Sequence, residues 1–560
     1  MIRLEGASAS VPGPSRAESP RILLDPIDLD LRAGESHLVL GANGSGKSTL
    51  VRMLAGLRPP ASGRVLLDGA PLAPGRVWPS VAVLFEEPDP QFLADTVEGE
   101  IAFGLESLAL PPDEIRSRTA AAMERYQVAE LARREPYSLS GGEKARVLLA
   151  AMMAAAPRAI LLDQALAHLD PETRRALERD LVERALAGEC LLVRTHQDWD
   201  PPLPGETLHV IERASLRKVD RDSVAPRSAD VPYPLALRAA ALLRECGRWT
   251  GPLAMTVAEL RAGLGASDHA PRASIYNTPS VTGDPAISLS GASWSPPGER
   301  RTLAPIDLEV RAGEVVALVG RSGSGKSTIL KLAAGLMPPS TGSVRAARGA
   351  GLALEYPERQ LFGRTVEEDV AALLWVAGVP ERERHDRARV ALETVGLDFD
   401  RFGPRVPATL SEGEKRRAAI AALLADRPAT LLLDEPTAGL DPGGRASLAR
   451  AIAAVKEEGH AVLFASHDLD FVSGVADRVA VLARGDDGST ALATGPGAAI
   501  WRDAALLDRA GLPAPEFVAL ADTFRGAGLL RDDDVRDGSS LLGALARSLD
   551  ATHGAVGSSA

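Results

Sequence analysis

Two glycine-rich segments carry residues suited to holding a triphosphate. Both have the pattern Gly-x4-Gly-Lys-Ser-Thr, the first from Gly41 to Thr49 and the second from Gly320 to Thr328. In this pattern the glycines let backbone N–H groups surround a phosphate, and the N-terminus of the next helix favours negative charge. Each segment follows a short apolar run that predicts a buried strand and precedes a predicted helix. Each is therefore predicted to be a phosphate-binding loop (P-loop).

Each P-loop assigns a role to its lysine and to its first hydroxyl residue. Lys47 and Lys326 are expected to reach the β- and γ-phosphates, and Ser48 and Ser327 are expected to ligate Mg²⁺. In the first loop the candidate nucleotide-binding residues are Gly41, Asn43, Gly44, Ser45, Gly46, Lys47, Ser48 and Thr49. In the second loop they are Gly320, Ser322, Gly323, Ser324, Gly325, Lys326, Ser327 and Thr328.

Other landmarks recur in the same order after each P-loop, so the chain is an internal repeat. Leu-Ser-Gly-Gly-Glu begins at Leu139, and Leu-Ser-Glu-Gly-Glu begins at Leu410. An apolar run that predicts a buried parallel strand ends at Asp163, and a matching run ends at Asp434. A Ser-Gly-Gly segment alone usually marks a helix start, but its position before the apolar-Asp strand in both halves favours a second phosphate clamp.

Length and composition limit the alternatives. The chain has 560 residues, 45% of them apolar, which predicts a globular protein of several domains. A net charge of −12 without a long Lys/Arg run argues against a nucleic-acid partner. Two cysteines provide neither a disulfide framework nor a metal cluster, and they fit a reducing cytosolic compartment. The longest apolar stretch, 147–162, is interrupted by Pro157 and Arg158 and is too short to span a bilayer, so a membrane role requires a partner.

The elements that must position these motifs fall into two α/β halves. Four segments are predicted: a first cassette at 1–215, a small appendage and linker at 216–285, a second cassette at 286–485 and a C-terminal extension at 486–560. Each cassette is expected to have a mixed sheet core and a helical subdomain that carries the Leu-Ser motif. The last residues, from Gly554, are expected to be disordered.

The order of the motifs resembles that of the ATP-binding cassette (ABC) ATPase superfamily. The second half carries the pattern nearly complete, from Leu431 to Asp441 and at Ser466-His467-Asp468. The resemblance covers about residues 3–215 and 286–485. It implies two tandem P-loop cassettes that face each other head to tail, with each ATP between the P-loop of one and the signature motif of the other.

The resemblance also implies roles for individual residues. Asp163 and Asp434 would hold Mg²⁺, Glu435 would be the general base for the attacking water, and His196 and His467 would contact the γ-phosphate. The signature residues would be Ser140, Gly141, Gly142, Ser411 and Gly413.

Two departures from the family pattern point to one weakened site. Gln164 stands where the family has its catalytic glutamate, and an amide cannot accept a proton at neutral pH. Glu412 replaces a signature glycine and would place negative charge near the triphosphate, although an outward-pointing carboxylate is an equally good interpretation. Head-to-tail pairing puts both changes in the site of the first P-loop, which predicts one hydrolytic and one degenerate site.

Smaller departures affect the Q-loop and the adenine contact. Glu86 and Glu355 stand where the family usually has the Q-loop glutamine, and Glu355 is expected to retain a catalytic role. Val11 and Pro296 occupy the position of the aromatic residue that usually stacks on adenine. Trp294 lies two residues away and could substitute, but a tryptophan in a strand more often packs in the core.

Both Q-loop segments resemble those of energy-coupling factor (ECF) transporter ATPases. They are Phe85 to Phe92 with Asp95 to Glu98, and Glu355 to Phe362 with Arg364 to Glu368. The resemblance implies a fused pair of ECF ATPases on the cytoplasmic face of the cell membrane, importing a vitamin or a transition-metal ion. The implied partners are a membrane-embedded coupling protein (T component) and a substrate-binding membrane protein (S component).

Two other functions remain alternatives. A tandem ATPase of a sugar importer would usually have a degenerate second P-loop, whereas Gly320 to Thr328 is intact. A ribosome-associated tandem cassette would usually have a long basic helical arm between cassettes, whereas residues 200–285 are proline-rich and mixed in charge.

Overall fold

The computed structural model describes most of the chain and divides it into two compact units, Met1–Pro232 and Tyr233–Ala560. The described residues are 1–11, 20–72, 78–86, 88–166, 169, 171–196, 202–219, 235–250, 253–265, 285–296, 302–321, 323–346, 349–354, 360–485, 488–530, 535 and 537–556.

The first unit contains the first P-loop. Its strands are β1 (Ile2–Val11), β2 (Arg21–Leu31), β3 (Ser36–Gly41), β4 (Ser62–Leu67), β5 (Ala70–Pro71), β6 (Val81–Leu84), β7 (Ala159–Asp163), β8 (Leu191–His196), β9 (Thr207–Glu212) and β10 (Ser215–Lys218). Its helices are α1 (Lys47–Leu54), α2 (Val97–Ser107), α3 (Pro112–Arg125), α4 (Gly141–Ala154) and α5 (Pro171–Leu186), with short 3-10 turns at Asp89–Gln91, Ala129–Leu131 and Pro136–Ser138.

Two sheets form in the described part of the first unit. The central sheet has the order β10-β9-β3-β8-β7-β6, and its pairs are parallel apart from the β9–β10 hairpin. The second sheet is antiparallel, in the order β2-β1-β4-β5. Strands β3, β7 and β8 are buried along their whole length, as expected for parallel strands that are covered on both faces.

The second unit contains the second P-loop and the C-terminal segment. Its strands are β11 (Pro285–Trp294), β12 (Leu303–Arg311), β13 (Val315–Val319), β14 (Thr341–Ala346), β15 (Ala350–Ala353), β16 (Thr430–Asp434), β17 (Ala461–Ala465), β18 (Arg478–Gly485) and β19 (Gly488–Pro496). Its helices are α6 (Leu235–Glu245), α7 (Val257–Leu264), α8 (Lys326–Ala333), α9 (Val366–Val370), α10 (Ala372–Val376), α11 (Glu381–Thr394), α12 (Phe399–Phe402), α13 (Glu412–Asp426), α14 (Pro442–Glu457), α15 (Leu469–Val475), α16 (Gly497–Ile500), α17 (Ala504–Ala510), α18 (Glu516–Gly526) and α19 (Gly538–Val556), with a 3-10 turn at Pro407–Thr409.

The second unit repeats the parallel core of the first, but its described strands form a single sheet. One sheet of described strands runs in the order β14-β11-β12-β19-β18-β13-β17-β16-β15, with parallel pairing from β18 to β15. In both units the strand before the P-loop lies between the strand that ends near the histidine motif and the next strand along the chain. The carboxyl ends of these parallel strands therefore lie at one edge of the sheet, where ligands of α/β folds bind. The predicted α/β fold with two tandem cassettes is confirmed.

The two segments that flank the second cassette pack together inside the second unit. Helices α6 and α7 contact α18, and α6 also contacts α19. Their contact surface is apolar, because buried residues recur at helical spacing; these residues include Ala236, Leu237, Ala240, Leu243, Leu260, Leu520, Phe524, Leu541 and Leu545. The backbone N–H of Ala236 donates to Glu516 at 3.2 Å. The two segments form one structure, which we call the terminal helical bundle.

The structure also places strands at the predicted boundaries. Strand β10 extends the first sheet to Lys218, and β19 pairs with β18 in the second sheet, so the positions chosen at 215 and 485 fall inside hairpins. Helix α19 continues to Val556 and includes Gly554, where disorder was expected to begin; residues 557–560 lie outside the described residues. Among the described residues, no helix combines the length and the apolar content needed to cross a membrane.

Candidate functional site

Both P-loops bend in a way that only glycine allows without strain. Gly44 and Gly46 have φ angles of 73° and 108°, and Gly323 and Gly325 have φ angles of 76° and 87°. These values lie in the left-handed region, which side chains other than hydrogen disfavour. A Cβ at Gly41 would lie 2.5 Å from the Ser45 hydroxyl. The glycine spacing that predicted phosphate binding is therefore required by the backbone itself.

The P-loop lysines are buried and aimed at their own loops. Lys47 Nζ donates to the carbonyls of Gly41 and Ala42 at 2.7 and 3.0 Å. Lys326 Nζ donates to the carbonyls of Gly320 and Arg321 at 2.7 and 3.3 Å. Each ammonium group is thus held against its own loop, and it brings positive charge to the loop.

In the second cassette the predicted base and the predicted switch histidine touch. Glu435 Oε2 accepts hydrogen bonds from the backbone N–H of His467 at 3.1 Å and from His467 Nδ1 at 2.8 Å. Glu435 Oε1 lies 3.9 Å from Lys326 Nζ. The His467 side chain is 52% exposed, and among the described residues its Nε2 makes no hydrogen bond. The structure therefore brings Glu435, His467 and Lys326 together.

Opposite charges set the protonation of this group. Burial alone would raise the pKa of Glu435, but the hydrogen bond and positive charge of His467, together with Lys326, outweigh burial and lower it. The hydrogen bond to Glu435 raises the pKa of His467 against the effect of burial. Glu435 is therefore ionised at neutral pH, as a proton acceptor must be.

The acidic residue at the end of β16 has the features of a cation ligand. Burial first, and the neighbouring Glu435 charge second, raise the pKa of Asp434, while a hydrogen bond to Ser327 opposes the rise. Asp434 Oδ1 is buried and makes no hydrogen bond to any described residue. A hydroxyl and an unsatisfied carboxylate oxygen are hard oxygen donors of the kind that Mg²⁺ prefers. Ser327 and Asp434 thus fit the predicted metal site.

The first cassette places the corresponding residues differently. Asp163 accepts a hydrogen bond from Thr195 Oγ1 at 2.9 Å. Gln164 is buried at the position of the base, and its Oε1 has no hydrogen-bond donor among the described residues. His196 Nε2 lies 2.9 Å from Glu178 Oε1 on α5, and the His196 side chain is only 11% exposed. Ser48 lies in the first turn of α1. The first cassette therefore keeps the positions but not the base–histidine contact.

The signature motifs are helix N-caps with the same geometry in both halves. The Ser140 hydroxyl accepts from the backbone N–H of Glu143, and Glu143 accepts from the Ser140 backbone N–H at 2.8 Å. Ser411 and Glu414 make the same capping box. Gly141 and Gly142 open α4, so the first two residues of that helix have no side-chain atoms beyond hydrogen, and Gly413 lies in the first turn of α13. Glu412 begins α13, and its side chain lies outside the described residues.

The Q-loops are fixed by glutamines to which the sequence assigned no role. Gln91 accepts from the backbone N–H of Phe85 at 3.1 Å and donates to the Phe85 carbonyl at 3.0 Å. Gln360 accepts from the N–H of Leu354 at 3.1 Å and donates to the carbonyl of Leu352. Each glutamine ties its loop to the strand that precedes it. Glu86 follows Phe85, the residue that Gln91 anchors, whereas Glu355 and the P-loop residue Ser322 lie outside the described residues.

Other supporting residues were also missed by sequence reasoning. Arg416 Nη1 donates to the carbonyl of Glu435 at 2.9 Å and to the carbonyl of Ala438, and these bonds fix the backbone at Glu435. The aligned position of the first cassette carries Ala145. Trp294 packs against the apolar core of the second unit, as expected for a strand tryptophan. The sequence shows only that Arg416 lies in the helix after the signature motif. Because Arg416 bonds to backbone carbonyls, no particular residue type marks its partners in the sequence.

Comparison with known proteins agrees with this geometry. The family model of the ABC transporter matches residues 24–167 and 303–438. A putative HMP/thiamine import ATP-binding protein of Bacillus subtilis, YkoD, is 30% identical over 543 residues, covering 91% of this chain and 96% of that protein. A putative ABC transporter ATP-binding protein of Bifidobacterium longum, BL0043, is 30% identical over 504 residues, which cover 81% of this chain and 62% of that protein.

A solved structure adds support for the fold alone. A model of ribosome-bound archaeal Pelota and ABCE1 matches with a TM-score of 0.58 and 18% identity, over 85% of this chain and 77% of that one. Two consecutive P-loop cassettes of this α/β fold define a class of ATPase. The chain belongs to the ABC transporter family of ATP-binding proteins, and it is an ATPase.

Proposed function

We propose that this chain is the ATP-hydrolysing subunit of an ECF-type importer on the cytoplasmic face of the cell membrane, moving a vitamin or a transition-metal ion. The observation that carries the proposal is the similarity to YkoD, which is described as serving HMP/thiamine import and aligns over 96% of its length. An alignment over 91% of this chain includes both cassettes. The resemblance of both Q-loop segments to ECF ATPases supports the same branch.

We infer that the cassettes pair head to tail and that the pairing makes two ATP sites of unequal activity. The second P-loop with the Ser140, Gly141 and Gly142 signature makes the hydrolytic site. The first P-loop with Ser411 and Gly413 makes the degenerate site, which also contains Gln164 and Glu412. The ionised carboxylate of Glu435, set against the neutral amide of Gln164, supports this division.

In the hydrolytic site each residue has a defined task. Lys326 neutralises phosphate charge, and Glu435 accepts the proton of the attacking water once His467 no longer holds its carboxylate. His467 then presents its exposed Nε2 to the γ-phosphate. Ser327 and Asp434 would hold Mg²⁺, which would neutralise phosphate charge when bound. Glu355 would complete the site from the Q-loop, and its role stays a prediction.

The membrane partner would dock beside the Q-loops. In the second cassette, Phe362 lies two residues after the Q-loop anchor Gln360 and is 81% exposed. Trp375 and Val376 on α10 are also largely exposed. Large exposed apolar side chains in one stretch of chain indicate a surface that a partner covers. We infer that this surface receives a helix of the T component, which in turn binds the S component.

Affinity purification from detergent-solubilised membranes tests the proposal. The tagged full chain is expected to retain multi-span membrane proteins, identified by mass spectrometry, and to hydrolyse ATP in that complex. Phe362→Asp should release the membrane proteins, since a charge on a buried apolar contact is costly. Val390→Asp, at an exposed position of α11, serves as the matched control and should retain them.

A complex without any multi-span membrane protein would contradict the importer function. Recovery of ribosomal proteins in its place would favour the translation alternative. Equal loss of membrane proteins in both variants would show that Phe362 is not a docking residue, while leaving the importer function standing.

A further inference from the structure

Three ionisable side chains are buried together in the first cassette, away from the P-loop contacts described above. Arg194 on β8 donates from Nε and Nη2 to both carboxylate oxygens of Glu206, at 2.8 and 2.7 Å. Arg194 Nη1 lies 3.2 Å from Glu178 Oε1. All three side chains are at most 2% exposed. Because buried charges are costly unless paired, this network holds each of its members in one position.

The second cassette has no such network among its described residues. When the halves are aligned on Asp163 and Asp434, the positions of Glu178 and Arg194 carry Ala449 and Ala465. Asp477 aligns with Glu206, and it binds Lys456 and the backbone N–H of Val315 instead. The fold therefore does not require these charges, and the first cassette has them for a reason of its own.

Glu178 has a second contact, with His196. The same Oε1 atom that faces Arg194 lies 2.9 Å from His196 Nε2, so the ring must carry its proton on Nε2 to donate to the carboxylate. In the second cassette the histidine uses Nδ1 for Glu435 and leaves Nε2 on the exposed side. Nε2 of the histidine is therefore on the exposed side in the second cassette, whereas in the first cassette it is bonded to a buried carboxylate.

We propose that Glu178, fixed by Arg194 and Glu206, is a positioning residue that withholds His196 from the γ-phosphate of a nucleotide bound to the first P-loop. The first site then binds ATP and ADP through the phosphates that both share, and it discriminates poorly between them. This inference rests on the proposed degenerate site and deepens it. The site lacks a base at Gln164, and its histidine is also diverted by a carboxylate that the other cassette replaces with alanine.

Nucleotide binding to the first P-loop alone tests the inference. In the full chain, Lys326→Ala removes the phosphate contact of the second P-loop. The affinities for N-methylanthraniloyl-ATP and N-methylanthraniloyl-ADP are then measured by fluorescence titration. Adding Glu178→Ala frees His196, and the preference for the ATP derivative should rise roughly tenfold, the value of one charge-assisted hydrogen bond. A further His196→Ala change should abolish that rise.

Two controls separate this role from a structural one. Glu183→Ala removes an exposed carboxylate from the same helix, α5, and should leave the ATP-to-ADP preference unchanged. Glu178→Ala leaves Arg194 paired with Glu206, but a second variant, Glu178→Ala with Arg194→Ala and Glu206→Gln, removes all the charges at once. If Glu178→Ala proves unstable, this triple variant takes its place and should show the same rise in the preference for the ATP derivative.

An unchanged or reduced ATP preference in a folded Glu178 variant overturns the inference. So does a rise that survives His196→Ala, because the effect would then not pass through the histidine. None of these measurements needs a membrane partner or a transported substrate. Failure of the inference and failure of the importer proposal therefore give different results.

Discussion

The two cassettes have the same backbone conformation after the buried Asp163 and Asp434 strands, and they differ in the charged side chains around that position. The residue after the buried strand is strained in both, with φ of 54° at Gln164 and 47° at Glu435. Such left-handed conformations are costly for residues other than glycine and persist where the surrounding fold imposes them. In the second cassette this position holds an ionised carboxylate in contact with a histidine, whereas in the first it holds an amide. The comparison teaches that the fold imposes the same backbone conformation on side chains of different chemistry.

The largest expected difference between the cassettes concerns turnover. Glu435→Gln should lower kcat for ATP hydrolysis by about 10²–10⁴-fold, because it removes the proton acceptor. Gln164→Ala should leave most of the activity, since that position has no base to lose. Steady-state phosphate release from the purified complex measures both. Equal losses in the two variants would show that the cassettes are catalytically equivalent.

The next difference concerns stability. Arg194→Ala leaves Glu178 and Glu206 as two buried carboxylates without their counter-charge, which should destabilise the first unit by about 3–5 kcal/mol. Arg184→Ala breaks a partly exposed pair with Glu189 and should cost at most about 1 kcal/mol. Urea unfolding followed by hydrogen exchange of first-unit peptides measures both changes. Similar costs for the two variants would mean that the buried network is not paired as described.

A buried histidine pair makes the first cassette the more acid-sensitive one. His37 Nδ1 and His209 Nε2 are 3.1 Å apart, and burial, with a smaller effect of the His37 charge, lowers the pKa of His209 to about 4. Below pH 6.5 His209 binds a proton in the unfolded chain but not in the folded chain. The free energy of unfolding therefore decreases as the pH falls from 6.5 towards 4. The loss should reach about 2 kcal/mol at pH 5.

Residues from the second cassette provide the control for this effect. Val316 and Ala480 align with His37 and His209. The double variant His37→Val with His209→Ala should reduce the acid-induced loss of first-unit stability, measured by urea unfolding at pH 5 and pH 7. A loss of unchanged size would place the acid-sensitive groups elsewhere.

The smallest expected effect concerns the histidine of the second cassette, His467. Because Glu435 raises the pKa of His467, their pairing stabilises the fold below pH 6.5, and this contribution is lost as the pH rises through the pKa of the folded state. Glu435→Gln should lower the pKa of His467, as followed by NMR of histidine-labelled protein. A pKa that does not move would show that the contact at 2.8 Å is absent in solution.

The sequence predicted the parts of the site that depend on local pattern. Glycine spacing reports positive φ angles, so the P-loops at Gly41 and Gly320 are recognisable from a few neighbouring residues. The fold class followed from buried strands at Asp163 and Asp434, which the structure confirms. His196 is the last residue of β8, and His467 lies two residues beyond the end of β17, as the apolar runs before them predicted. These features are encoded within a few residues of one another.

Contacts between distant side chains could not be predicted. The Glu178–Arg194–Glu206 network joins a helix, a strand and a loop, and nothing in the local pattern of α5 separates Glu178 from the exposed acids beside it. The terminal helical bundle was also divided between two predicted appendages, because the packing of α6 on α19 depends on chain segments far apart in sequence.

The terminal helical bundle has a consequence for the order of synthesis. Helices α6 and α7 leave the ribosome before the second cassette, whereas α18 and α19 leave after it. At ordinary elongation rates the first pair waits on the order of tens of seconds for its partners. Until α18 and α19 have been made, the faces of α6 and α7 that pack against them lack these partners. The bundle can therefore form only after the second cassette has been synthesised.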